Sequence, residues 1–475
     1  MSRQYNTIFI SAKNDYAGTP NHGLWQMFLY FKNVLKEDCA YFCTQHLKYN
    51  HEDSYDISHL GGKIPLYNQI CNKAIDGGNS NTWEDFKVWN NYFIQDLPNT
   101  QNIDDILNAL PEHNNIILGD KYDVNEIVLS SILDRFKSKL ILVTMVHNAH
   151  TGWCSYPAEN NCEKYKSEVG CVNCPQITKN VWEDIDRDKP INTLAWNKDA
   201  IQATIMRSQL SFSAHDVFLK KHIDKIILNA GSSYSLNQAE ESYLYKNVKK
   251  ELIPLRTVKK HNEDFQNLLI EKKTIKKKII ESKFFGKFPE ETFSQNTNIC
   301  LWSAFDPTSS RKGIKYFIDS LWCLSQYEDF NISDTVFIIA GDESKIKKLT
   351  LLLPEKIKIV YAGLLDTETL TGVILGSDLY CSTTVEDAGP RTIGEAVACG
   401  TPVVSFDRCI ATDLISDKNG KIVKTYDAIA YAHAIKDILS IDQSERDKMS
   451  EECIKSFDYF YDDEKIAKKW KEVLA

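Results

Sequence analysis

Short apolar runs alternate with longer stretches of helical periodicity along most of this chain, and this alternation limits the possible folds more than any other feature. In the first half the apolar runs include NTIFISA, NIILGD and KLILVTMVHN, and the helical stretches include LWQMFLYFKNVL and NEIVLSSILDRF. The second half continues with NICLWSAFD, TVFIIAGDE, KIKIVYAG, SDLYCSTT and TPVVSFD. Strands separated by helices are typical of βαβ units built around a parallel sheet. Since no repeat of fixed period is visible, the sequence predicts two similar α/β domains and not a solenoid.

The size and composition of the chain support a folded protein of more than one domain. Its 475 residues exceed what one core usually holds, and its 43% hydrophobic and 25% charged content is that of a globular protein. The net charge of -9 argues against a general nucleic-acid partner. No apolar run is long enough for a transmembrane helix, and the start MSRQYNTIFISAKN lacks a signal-peptide pattern. The chain also has an odd number of cysteines, 13. These features together predict that the protein is in the reducing cytoplasm, with the inner face of the membrane as an alternative location.

The domain boundaries follow changes in composition. We expect a first domain over 1–254, with a cysteine loop at 151–176, and a second domain over 297–456. The lysine-rich segment 255–296 between them is predicted to be a linker. Its lysines form either a solvated helix face or a basic patch that contacts anionic membrane lipid. Residues 457–475 are predicted to form one amphipathic terminal helix.

Residues 386–406, EDAGPRTIGEAVACGTPVVSF, join two predicted strands through a tight turn and a helix of small residues. The first strand delivers Glu386 and Asp387 at its carboxyl end. Gly389 permits close approach of the backbone, and Pro390 suits the first turn of a helix. The carboxyl edge of a parallel sheet is where open α/β folds bind ligands, and a helix N-terminus favours a phosphate. This segment therefore predicts a site for an anionic ligand.

Asp387 and Glu395 are separated by seven residues, so the two carboxylates can face one cleft and accept hydrogen bonds from sugar hydroxyls. The segment resembles the E-x7-E signature of retaining family 4 glycosyltransferases of the GT-B fold, especially the bacterial polysaccharide branch with an acidic-Ala-Gly-Pro turn. The resemblance implies that Asp387 holds the donor sugar and Glu395 the ribose, with the backbone N–H groups of Arg391 and Thr392 near the diphosphate. The first position is Asp instead of Glu, so either Glu386 or Asp387 contacts the sugar. The alternative interpretation is an ordinary turn and an Arg391–Glu395 helix ion pair.

A second element, SRKGIKYFIDSLWCL, begins with two cations at the start of a predicted helix. Positive charges at a helix N-terminus oppose the helix dipole, so they are best explained by a bound anion. The element is similar to the Lys-Gly element of the same family. This similarity implies that Lys312 neutralises the leaving diphosphate and that Arg311 assists it. The alternative interpretation is an ordinary exposed Lys-Gly pair without a role in binding.

The third element, VTMVHNAHTGWCSYPAENNCEKYKSEVGCVNCPQ, resembles family members in which a strand ends in His-Asp and a cysteine-bearing loop follows. The resemblance implies that His147 lies at the strand end and orients the transferred sugar, although Asn148 replaces the expected aspartate. A structural histidine is the alternative. Four cysteines in the loop have the C-x7-C-x8-C-x2-C spacing that suits a structural tetrahedral zinc, with reduced buried thiols or two disulfides as alternatives. They are Cys154, Cys162, Cys171 and Cys174.

The family resemblance implies two Rossmann-like domains whose parallel sheets face an inter-domain cleft, with the terminal helix crossing back to the first domain. The implied reaction moves a sugar from a nucleoside diphosphate to a glycan or lipid-linked glycan with retention of configuration. It needs no catalytic metal or other cofactor. A non-catalytic binding protein of the same fold and a nucleotide-sugar epimerase are the alternatives. A nicotinamide dehydrogenase is disfavoured because no G-x-G-x-x-G follows the first strand.

Overall fold

The computed structural model describes most of the chain and divides it into two compact units. The described residues are 3–13, 20–57, 100–119, 124, 126–145, 151, 157, 162–172, 212–256, 258–281, 296–342, 350, 353–389 and 391–475. The first unit consists of Met1–Gly231, Ser235–Leu255 and Ala467–Ala475. The second consists of Ser232–Tyr234 and Arg256–Ile466.

The first unit is built on a parallel sheet. Its strands are β1 Tyr5–Lys13, β2 Cys39–His46, β3 Ser54–Asp56, β4 His113–Leu118, β5 Lys139–Val143, β6 Ile226–Ala230 and β7 Lys249–Leu252. Their order is β3-β2-β1-β4-β5-β6-β7, and every neighbouring pair is parallel. The central strands are almost continuously apolar because a parallel sheet is covered on both faces.

Helices follow several of these strands, as βαβ units require. They are α1 Pro20–Tyr30, α2 Thr100–Ala109, α3 Glu126–Phe136 and α4 Ser233–Glu241. A π-helical turn, Phe31–Leu35, continues α1 and ends where Lys36 adopts a left-handed conformation with φ 56°. Helix α3 buries Val128, Leu129, Ile132 and Leu133, which recur at helical spacing, against the core of this unit.

The second unit contains another parallel sheet. Its strands are β8 Asn298–Ser303, β9 Thr335–Ala340, β10 Lys358–Gly363, β11 Leu379–Ser382, β12 Val403–Phe406 and β13 Gly420–Val423. Their order is β10-β9-β8-β11-β12-β13, again with parallel neighbours. Its helices are α5 Phe265–Ile280, α6 Ile314–Leu324, α7 Thr367–Gly376, α8 Arg391–Ala398, α9 Ala411–Leu414, α10 Ala428–Ser440 and α11 Gln443–Phe460. A last helix, α12 Asp463–Leu474, starts in this unit, and its residues from Ala467 onward belong to the first. The α/β class with two parallel sheets, expected from the sequence, is confirmed.

The segment predicted as a linker, 255–296, contains α5, and this helix is part of the second unit. Leu268 and Ile279 on α5 are buried. Lys276 pairs with Asp378, with Nζ 2.8 and 2.7 Å from the two carboxylate oxygens. In the structure α5 is therefore part of the second unit, whose main segment starts at Arg256.

The terminal region differs from the single helix predicted over 457–475. Helix α11 ends at Phe460, and α12 starts at Asp463. The break occurs because the Asp462 side chain accepts a hydrogen bond from the backbone N–H of Lys465 at 3.0 Å, which caps a new helix. Residues Ala467–Ala475 belong to the first unit.

Candidate active site

The strand order of the second sheet reverses between β8 and β11. From β8 the chain moves outward to β9 and β10, whereas from β11 it moves in the opposite direction to β12 and β13. The loops that leave the carboxyl ends of β8 and β11 therefore diverge, and such a switch point is where open α/β sheets bind ligands. The Lys-Gly element follows β8 and the acidic turn follows β11, so the topology brings the two predicted elements to one place.

Backbone and side-chain hydrogen bonds fix these two loops against each other. The Val385 N–H donates to the Arg311 carbonyl oxygen at 2.8 Å, and the Thr383 hydroxyl donates to the Lys312 carbonyl oxygen at 3.1 Å. The indole N–H of buried Trp302 donates to the same hydroxyl at 3.0 Å. The positions of the Arg311 and Lys312 main chains are therefore set by the residues that directly follow β11.

Gly313 is required by this close approach. It has a φ of 67°, in the left-handed region that glycine tolerates best. A Cβ atom at this position would lie 2.1 Å from the Thr383 carbonyl oxygen. The glycine of the Lys-Gly element thus lets the loop pass next to β11 and places Lys312 beside the acidic turn.

The charged side chains of the two loops meet at Asp387. Its Oδ2 atom lies 2.7 Å from Lys312 Nζ and 2.7 Å from Arg311 Nη1, and its Oδ1 accepts a hydrogen bond from the Gly389 N–H at 3.3 Å. Burial acts to raise the pKa of Asp387, but the charges of Lys312 and Arg311 outweigh it and hold that pKa well below its ordinary value. Burial lowers the pKa of Lys312; Asp387 opposes this effect and Arg311 adds to it. Asp387 is therefore a carboxylate at neutral pH.

The structure distinguishes the two adjacent acidic residues by their exposure. Glu386 is fully buried, whereas the Asp387 side chain is 18% exposed. Burial raises the pKa of Tyr234, and the Glu386 charge acts in the same direction, so the two side chains are electrostatic neighbours. Of the two carboxylates, Asp387 is the one that solvent reaches.

Helix α8 carries the remaining residues of the predicted donor site. Its first residue is Arg391, whose Nε lies 2.7 Å from Glu395 Oε1, so the ion pair of the alternative interpretation is present. Burial raises the pKa of Glu395, and Arg391 opposes this shift. Burial also raises the pKa of Tyr380 to about 12, although its hydrogen bonds with the side chains of Ser303 and Thr392 act to lower it. The Thr392 side chain is thereby held against β11. Two residues after the end of α8, Gly400 adopts a left-handed conformation with φ 62°.

Two predicted features fall wholly or partly outside the described residues. His147 lies outside them, and the strand that was expected to reach it ends at Val143. Cys154 and Cys174 also lie outside, while Cys171 is buried and Cys162 is half-buried. No cluster of three or more potential metal ligands is present among the residues that the structure describes. The zinc site and the role of His147 stay predictions.

A third loop at the same sheet edge was not identified from the sequence. Arg408 follows β12; its Nε donates to the Thr425 hydroxyl at 2.9 Å, and its guanidinium carbon lies 5.8 Å from the centre of the Tyr234 ring. The neighbouring Asp407 accepts a hydrogen bond from the Thr425 N–H at 2.9 Å. The available signal was the charged pair directly after the apolar run TPVVSF.

Comparisons with known proteins find similarity in part of the sequence and in the fold. Residues 306–456 match the family model of the glycosyl transferases group 1, a stretch that includes Lys312, Asp387 and Glu395. No curated protein sequence matches the chain. Solved structures with the same fold include HepE from Anabaena in complex with UDP and glucose, with 12% identity, a TM-score of 0.55 and 99% coverage of both chains.

Two further structures extend the comparison. WaaG, a glycosyltransferase involved in lipopolysaccharide biosynthesis, is 11% identical with a TM-score of 0.53, and 99% of each chain is covered. The sucrose-phosphate synthase from Thermosynechococcus elongatus is 12% identical with a TM-score of 0.54, covering 99% of this chain and 98% of the other. The chain has the GT-B fold. Among its described helices, none combines the length and the apolar character that crossing a membrane requires.

Proposed function

We propose that this GT-B protein is a retaining glycosyltransferase that moves a sugar from a nucleoside diphosphate to a glycan or lipid-linked glycan. The observation that carries the proposal is the meeting of Lys312, Arg311 and Asp387 at the switch point of the second sheet. The match of residues 306–456 to the glycosyl transferases group 1 supports it. So does the fold shared with HepE, which has been solved with UDP-glucose.

The proposed chemistry follows from the charges at this edge. Breaking the bond between the anomeric carbon and the diphosphate leaves negative charge on the departing phosphate. Lys312, Arg311 and the N-terminus of α8 would stabilise that charge, and pre-positioned groups of this kind contribute on the order of 3 kcal/mol each. A bound diphosphate would also give both cations a second anionic partner, which frees Asp387 to accept hydrogen bonds from the donor sugar.

The finer features of the proposal come from the sequence resemblance. Retention would proceed by transfer on the face from which the diphosphate leaves, without a covalent intermediate and without a catalytic metal. His147 would orient the transferred sugar, Glu395 would hold the ribose, and a zinc ion bound by the cysteine loop would brace that loop. Synthesis of a surface polysaccharide in the cytoplasm, on an acceptor at the membrane, is the setting we propose.

One observation favours a second candidate, a binding protein of the same fold without turnover. Lys312 and Arg311 share one carboxylate oxygen, and Arg391 is paired with Glu395, so the cations of the site already have anionic partners. If these ion pairs persist when a nucleotide is present, the site cannot stabilise a leaving diphosphate. Binding without transfer would then be the expected behaviour.

The experiment is a thermal-shift series with nucleoside diphosphates on the wild type, Glu395→Ala and Glu451→Ala. Glu451 is a matched control because it is an exposed carboxylate on α11 that pairs with Lys455 at 3.1 Å. A ligand at one hundred times its dissociation constant should stabilise the wild type and the control by about 2.7 kcal/mol, and this gain should be lost in Glu395→Ala.

The nucleotide identified in this way selects the sugar donors for a transfer assay. Acceptor-dependent release of the diphosphate, with a product of the same anomeric configuration as the donor, would establish the proposed reaction. Binding without release would establish the second candidate, and an epimerised or free sugar without acceptor would indicate an epimerase. Absence of any nucleotide response would contradict both proposals.

A further inference from the structure

A second charged cavity lies in the second unit, at the edge of the sheet opposite to the candidate active site. It has a volume of about 60 Å³ and is bordered by α5, the end of α7 and the start of α11. Asp378 and Pro402, which directly precede β11 and β12, form part of its wall. The cavity is therefore at the amino edge of the strands whose carboxyl ends carry the loops described above.

The lining of this cavity carries more positive than negative charge. Four cationic side chains face two carboxylates, Asp378 and Asp447. Lys276 and Asp378 form a close pair at 2.7 Å, and Lys273 lies 3.8 Å from Asp447. The other two cations, Lys272 and Arg446, leave a net positive charge in the cavity.

Lys272 is the least compensated of these cations. Its Nζ donates to the Thr401 hydroxyl at 2.8 Å and to the Cys399 carbonyl oxygen at 3.3 Å, which are neutral acceptors. It forms no salt bridge with any residue that the structure describes. Burial lowers the pKa of Lys272, and an ammonium group has a third N–H bond that these two contacts do not use.

Arg446 presents a second unused donor. Its Nη1 donates to the Asn298 side-chain oxygen at 2.7 Å and lies 3.8 Å from Asp378. Its Nε atom is buried and has no hydrogen-bond partner among the described residues. A buried donor without a partner is unfavourable, and an anion in the cavity would relieve that cost.

We propose that this cavity binds a tetrahedral oxyanion of the phosphate class through Lys272, Lys273 and Arg446. The volume is several times that needed for one water molecule and suits a single phosphate, but it is too small for a nucleotide. The ligand is either inorganic phosphate or the phosphate group of a small phosphorylated metabolite whose remainder extends into solvent. This site is independent of the proposed transferase reaction.

The test is calorimetric titration of the full chain with inorganic phosphate at constant ionic strength. Because phosphate can also bind near Lys312, all variants are made in a Lys312→Ala background. We expect Lys272→Met to weaken binding at least ten-fold and Lys273→Gln to weaken it several-fold. Lys278→Gln is the matched control, since it removes the same charge from an exposed position on α5 outside the cavity, and it should leave the affinity unchanged.

The variants distinguish phosphate binding in this cavity from its absence. Lys273 is 64% exposed, so Lys273→Gln tests the site even where Lys272→Met fails to fold. Failure of the Lys312→Ala protein to bind millimolar phosphate, or equal weakening by Lys273→Gln and Lys278→Gln, would overturn the proposal. Parallel titration with glycerol 3-phosphate distinguishes the sources: tighter binding than phosphate indicates a phosphorylated metabolite, and weaker binding indicates the inorganic ion.

Discussion

Replacement of Asp387 by asparagine tests whether one carboxylate holds together the two charged loops of the second unit. The substitution keeps the shape of the side chain and the hydrogen bond from the Gly389 N–H, but it removes the negative charge. Lys312 Nζ and Arg311 Nη1 each lie 2.7 Å from the same Asp387 oxygen, so these two cationic nitrogens are at most about 5.4 Å apart. These cations repel each other in both proteins, but without the carboxylate no negative charge compensates that repulsion.

The size of the effect follows from that separation. At an effective dielectric constant of about 20, two unit charges 5.4 Å apart repel by about 3 kcal/mol. The three side chains are only 18–22% exposed, so solvent screens this repulsion only in part. We expect Asp387→Asn to lower the free energy of unfolding of the second unit by about 3 kcal/mol at pH 7.

Urea denaturation followed by amide hydrogen exchange in β8 and β11 would report on this unit separately from the first. Asp417→Asn is the control, because Asp417 is 86% exposed and pairs with Lys421 on the surface of the same unit. This control should change the stability by no more than about 0.5 kcal/mol. In the double variant with Lys312→Met, part of the lost stability should return, because the repulsion is gone. A double variant less stable than Asp387→Asn alone would refute the reasoning.

The pH dependence of the same comparison has a defined sign. The pKa of Asp387 is lower in the folded protein than its ordinary value of 3.8. Its contribution is therefore complete above that value and is lost as the pH falls toward the lower folded-state pKa. The stability difference between wild type and Asp387→Asn should be constant from pH 8 to about pH 5 and should shrink below about pH 4.

Three further expectations concern the loops of both units. In urea denaturation, Gly313→Ala should destabilise the protein more than Gly363→Ala does. Both glycines have φ near 66°, but of the two added Cβ atoms only the one at 313 would meet a backbone oxygen, at 2.1 Å. Equal losses of stability would contradict this expectation. Lys312→Ala should lower the transfer rate about one-hundred-fold. Lys315→Ala, at an exposed position of α6, should retain the wild-type rate. Full activity in Lys312→Ala would contradict the role of Lys312 in stabilising the leaving diphosphate. Metal analysis should find one zinc per chain, reduced in Cys171→Ser, and a metal-free wild type would exclude the zinc site.

The alternating apolar runs were sufficient to predict the parallel architecture, but several strands were not predicted. Strands β3, β7 and β13 lie at sheet edges, and β7 has the sequence KKEL without an apolar run. Edge strands bury little side-chain surface, so their sequences carry little of the periodicity that identifies a strand. Strand β6 is central but short, and its buried Asn229 interrupts the apolar pattern. Its side chain accepts a hydrogen bond from the Ile253 N–H at 3.1 Å, a tertiary contact that no local pattern reveals.

The candidate site, like the fold, was predictable from the sequence only in part. The residue types and the Gly-Pro turn predicted that Lys312 and Asp387 lie near an anionic ligand, but they did not predict that the two side chains pair with each other. Their pairing depends on β8 and β11 being adjacent, which is a property of the strand order and not of either segment. The sequence also could not separate Glu386 from Asp387, because the difference lies in burial. Arg408 was missed because a single arginine after a strand has many ordinary explanations.

The last residues of the chain complete the first unit, and this has a consequence for protein synthesis. Trp470 contacts Phe31 with ring centres 5.1 Å apart, and the Leu474 carbonyl oxygen accepts a hydrogen bond from the buried Asn115 side chain at 3.1 Å. More than two hundred residues of the second unit lie between these contacts and the end of β7 at Leu252. The ribosome therefore finishes the whole second unit before it releases the segment that the first needs. During that interval the apolar surface around Phe31 lacks the contact with Trp470, and transiently exposed apolar surface of this kind promotes aggregation.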